Sequence, residues 1–187
     1  MALTLKHSIQ GVERGVFDLI RDRLTTTLTE YNLAWDLLDN MPSAIADRAI
    51  VGSKEEIPVS SQDWIRVQVL KTSSSPLASG GEFRDTYRIN IYCCTRSQVY
   101  KKIPAAGGST ANEPDKSNNT SQQLRCKAIA ESVNRAFQKY GITDLSATYG
   151  VFNIKEGIYS DYKPRESNAC GIKLEIQLQT RGIDASL

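Results

Sequence analysis

From Phe83 to Cys94 the chain reads FRDTYRINIYCC, an alternation of apolar and polar residues that suits an extended strand with one dry and one wet side. Phe83, Tyr87, Ile89, Ile91 and Cys93 fall on one side. Arg84, Thr86, Arg88 and Asn90 fall on the other. Such a strand needs neighbours for its backbone and cover for its apolar side. The wet side needs a different explanation, and that is the functional question.

Further segments supply the neighbours. WIRVQVL sets Ile65, Val67 and Val69 against Arg66 and Gln68. GIKLEIQLQT sets Ile172, Leu174, Ile176 and Leu178 against Lys173, Glu175, Gln177 and Gln179. Both are strands by the same criterion. TSSSPLASGGE reads as a turn-rich connection making an antiparallel hairpin of the first two, and ATYGVFNIKEG as a further short strand.

Two helices supply the cover. Phe17, Ile20, Leu24 and Leu28 recur at helical spacing between about Gly11 and Leu28, and Thr25 to Thr27 weaken the last turn. A second helix starts at Thr120, with Gln123 completing a capping-box pair. It carries the stripe Cys126, Ile129, Val133, Phe137, Tyr140 and stops at Gly141. The sequence thus predicts an α+β fold: an antiparallel sheet of about four strands with two main helices packed on one face. One domain covers 1–187, and 97–121 is a flexible loop insertion with almost nothing to bury.

Length and composition agree with one globular domain: 187 residues, 40% hydrophobic and 24% charged. A formal charge of +2 does not by itself indicate a nucleic-acid binder. The N-terminus lacks a signal-peptide core, and no apolar run approaches the roughly 20 residues that span a bilayer. A soluble protein made in a cytoplasm, with no membrane partner, is expected.

Catalytic patterns are missing from the sequence. His7 is the single histidine, so no Ser-His-Asp or Cys-His pairing can draw on another. Gly107, Gly108, Ser109 and Thr110 lack the lysine of a phosphate-binding loop. Glu55 with Glu56, and Asp161 with Glu166, do not have the spacing of a metal loop. Cys93, Cys94, Cys126 and Cys170 have no zinc spacing and read as reduced, buried small hydrophobes. Adjacent Cys93 and Cys94 should face opposite sides of their strand. The sequons at Asn118 and Asn119 mark only a polar loop. The expectation is no enzyme, no cofactor and no metal. Basic residues such as Lys101-Lys102 and Lys163-Pro164-Arg165 are scattered without interleaved aromatics, which argues against a single-strand binder.

The order of pieces resembles the tail terminator (tail-completion) proteins of long-tailed bacteriophages. The matching pieces begin with an N-terminal amphipathic helix, then Asp39, Asn40 and Pro42, then Ile57-Pro58 ahead of Trp64-Ile65-Arg66-Val67. A glycine-bearing hairpin loop (Gly80, Gly81) leads into Tyr87-Arg88-Ile89-Asn90-Ile91-Tyr92, and SQQLRCKAIAESVNRAF and GIKLEIQLQT close the pattern. The segment 97–121 is longer than the family's strand-to-helix connection. The resemblance implies a structural virion protein in the neck region, assembled in the host cytoplasm. It implies a homo-oligomeric ring, a hexamer, that caps the tail tube, ends its polymerisation and joins tail to head connector. The implied partners are further copies of the chain, the tail tube protein and the head connector, with non-specific contact to DNA in the channel. The alternative is another head-to-tail connector or a small monomeric binding module of the same build. On this reading Arg66, Arg84, Arg88 and Leu124 are the candidate subunit-interface or channel-lining residues, and Glu175 is the expected partner for the arginines.

Overall fold

The computed structural model describes residues 8–34, 38–53, 55–76, 82–102, 112–114, 120–165 and 168–183. Along the chain the elements are α1 (Ile9–Leu33), β1 (Leu38–Asp39), β2 (Ile50–Gly52), β3 (Asp63–Pro76), β4 (Glu82–Thr95), β5 (Tyr100–Lys102) and β6 (Asn112–Pro114). Then come α2 (Thr120–Ala136), a π-helical turn at Phe137–Gly141, α3 (Ile142–Tyr149), β7 (Val151–Ile154), β8 (Ile158–Tyr162) and β9 (Cys170–Ile183).

The fold is α+β, with a sheet in the order β2-β3-β4-β9-β7 and β8 also paired to β9. Six strands thus replace the expected four or so. The two additions are β2, which runs parallel to β3, and β8. Their sequences, IVG and IYSDY, are too short to display a period. β1, β5 and β6 form a separate small sheet. β5 and β6 lie inside the segment expected to be loop, and Val99 just before them is buried. Residues 103–111 and 115–119, with the glycines and sequons of that segment, lie outside the described residues, as do His7, Gly80, Gly81 and Glu166.

α1 begins at Ser8, whose hydroxyl accepts from the Gly11 amide. It runs past the threonine triplet because Thr27 is buried and its hydroxyl donates to the Arg23 and Leu24 carbonyls. Val12, Val16, Leu19, Ile20, Leu24 and Leu28 face the sheet. Phe17, expected in that stripe, is only partly buried. The helix-facing side of β3, β4 and β9 closes the core with Ile65, Val67, Ile89, Ile91, Leu174 and Ile176, all without solvent exposure.

Gly141 does not end the second helix. It keeps right-handed helical geometry, and a β-carbon there would fall 2.5 Å from Ile154 Cδ1, so the residue is small for packing. Gly150, with φ 65°, is the residue that takes the left-handed conformation and stops α3.

One buried ionic knot ties the layers together. Asp63 at the start of β3 accepts from Arg125 Nε and Nη2 at 2.8 and 2.6 Å, and from the Thr95 hydroxyl at 2.6 Å. Arg125 also donates to the Asn40 carbonyl, and Asn40 itself has a left-handed backbone. Helix α2, two strands and the Asp39–Pro42 region therefore meet at one carboxylate.

Candidate interaction face

The helices cover one side of the sheet and leave the other to its own side chains. The registers give its rungs directly: Trp64–Cys94–Gly171–Tyr162, Arg66–Tyr92–Lys173–Ser160, Gln68–Asn90–Glu175–Ile158, Leu70–Arg88–Gln177 and Ser75–Arg84–Arg181. Arg66, Arg88 and Arg84 thus share one face at intervals of four residues along the strands, about 13 Å. The alternation read from the sequence places all three correctly. It breaks once on the opposite side, at Asp85, which is buried against the core. Lys71 Nζ lies 2.8 Å from Asp85, and the Tyr87 hydroxyl donates to it at 3.3 Å. Burial, with the Asp85 charge beside it, pushes the Tyr87 phenol well above its ordinary value.

Each arginine has a different setting. Arg88 Nε lies 3.5 Å from Glu175, the expected partner. Lys173 is closer to the same carboxylate, at 2.9 Å. Its hydrogen bond, and then the Arg88 charge, hold Glu175 below the usual carboxylate value. Arg84 stacks over the Phe152 ring at 5.4 Å and stands directly opposite Arg181. This rung therefore sets two like charges on adjacent strands. Arg66 donates from Nη2 to the Glu55 carbonyl, while its Nε is buried and meets no acceptor among the described residues. Asn90 Oδ1, on the adjacent rung, is likewise buried without a donor.

Arg66 also lines a cleft of about 330 Å³ between residues 55–57 and the β8–β9 connection. Trp64, Tyr92, Tyr162 and Arg165 share it, with Glu56. The Tyr92 and Tyr162 rings meet at 4.6 Å between centroids, and Arg96 stacks on Trp64 at 4.9 Å. This end of the face is therefore aromatic and closely packed, with Trp64 and Cys94 buried. The other end, from Leu70 to Pro76 of β3, is exposed.

Leu124 is not brought to this face. It sits on α2 in the helix layer and is half-buried. The sequence reading also missed Arg181 and Ile158 as members of the face. Arg181 was within reach, because the β9 alternation of Lys173, Glu175, Gln177 and Gln179 runs on to it. Ile158, 70% exposed, lies on β8, which left no pattern to read.

Among the described residues no group of three or more His, Cys, Asp or Glu could hold a metal ion, and no helix is long and apolar enough to cross a membrane. No protein-family model matches the chain, and comparison with curated proteins found no match.

Proposed function

We propose that the chain is a structural protein of a phage tail, a terminator that closes into a ring of six copies on the tail tube and joins it to the head connector. The observation that carries this reading is the uncovered sheet face. Its arginines stand at regular intervals, and Arg84 stands opposite Arg181 across the rung. A sheet surface that exposes Arg84, Arg88 and Arg181 suits an acidic patch on a neighbouring subunit, or DNA held loosely through water in a channel. The order of elements resembles the terminator family, and this face gives that resemblance a surface to work with. The function so proposed needs no turnover and no cofactor.

Electron micrographs of the purified protein, alone and mixed with tail tubes, test the proposal. Six-fold rings on tube ends are expected, even where dilute free protein stays monomeric. A species that stays monomeric and never decorates tubes would rule it out.

A further inference from the structure

The four cysteines come from three segments far apart in sequence, and three of them gather between α2 and one end of the sheet. Cys93 on β4 and Cys170 on β9 both point to the helix-covered side, where Cys126 of α2 is buried against Cys170. Cys94 points to the open face, as strand alternation requires. The Cys126 thiol donates to the Cys170 carbonyl oxygen at 3.1 Å, so the two residues are in direct contact.

Their exposure differs. Cys126 has none, Cys93 has none, and Cys170 is partly open to solvent. The Cys126 thiol, hydrogen-bonded to Cys170, holds the Cys170 thiol below its ordinary value, while Cys126 itself is pushed up. The pair therefore has an accessible member prone to ionise and a buried one in contact with it.

We infer that Cys126 and Cys170 are a redox-sensitive dithiol, closed to a disulfide by small-molecule disulfides such as oxidised glutathione, which ties α2 to the start of β9. The Cys170 thiolate attacks one sulfur of oxidised glutathione, the S–S bond breaks, and one glutathione leaves as a thiolate that takes up a proton. Cys126 then gives up its proton to solvent and attacks the Cys170 sulfur, expelling the second glutathione. Two protein thiols are oxidised and one glutathione disulfide is reduced to two thiols. Burial makes the second step the slow one, and rising pH speeds it. The bond would close a loop between positions 44 residues apart and raise stability by restricting the unfolded chain.

The test treats folded, reduced protein with oxidised glutathione near neutral pH and follows mass, free thiols and a peptide map. Expected are loss of two of the four thiols, a mass lower by about 2 Da, and a Cys126–Cys170 linked peptide. The melting temperature should rise by several degrees. Cys126→Ser should stop at a glutathione adduct on Cys170, and Cys93→Ser should still close. Four unreacted thiols, a Cys93–Cys126 link, or the same stable adduct in wild type and Cys126→Ser would overturn the inference.

Discussion

Two arginine–carboxylate pairs, each with its acid on a strand of the same sheet, have opposite lives. Asp63–Arg125 is closed off, each side chain 8% exposed, with the Thr95 hydroxyl also serving the carboxylate. Arg88–Glu175 is open, at 52% and 32%, longer, and shared with Lys173. Burial makes a pair hard to lose, because either partner left alone is a charge without water. Exposure makes a pair easy to exchange, because water or a new partner can replace either member. The closed pair serves the fold. The open one leaves its arginine available to another chain.

The sharpest way to break this contrast is to remove Arg125. Arg125→Ala strands the Asp63 charge and should cost about 3–5 kcal/mol in denaturant melts. A cost below about 1 kcal/mol would show that water reaches the site. Neighbours on β9 give the next test, since Leu174 faces the core and Glu175 the open side. Leu174→Ala should cost about 2–5 kcal/mol through the cavity it leaves, measured the same way. Glu175→Gln should cost less than about 1 kcal/mol. The smallest effect is its pH dependence. Because Glu175 is held below its ordinary value of 4.5, its contribution is complete above that value and is lost as pH falls through the lowered one. The stability gap between wild type and Glu175→Gln should therefore close on acidification, and a gap that widens would contradict the assignment.

How much of this was legible depended on period. The long strands β3, β4 and β9 alternate for many residues, so their faces, and with them Arg66, Arg84 and Arg88, could be read before any fold was known. Strands of three to five residues such as β2 and β8 carry no period, and the sheet's full width was lost with them. Gly141 has the composition of a stop but serves a close approach to Ile154, which only tertiary structure decides. Asp63, Arg125 and the converging cysteines are non-local: Asp63 and Arg125 are 62 residues apart, and no spacing rule connects them. Leu124 looked exposed on a helical wheel because the wheel cannot show what flanks the helix.

The central claim is that the open face meets other molecules rather than supporting the fold. Arg84→Glu combined with Arg88→Glu tests it most directly, because neither side chain belongs to the core and both lie on the uncovered face. Melting and ring formation on tail tubes would be measured together, across a salt series that separates charge contacts from packing. The account predicts a melting curve close to wild type with rings lost or sharply reduced. A double variant that melts like wild type and still caps tubes normally would contradict it.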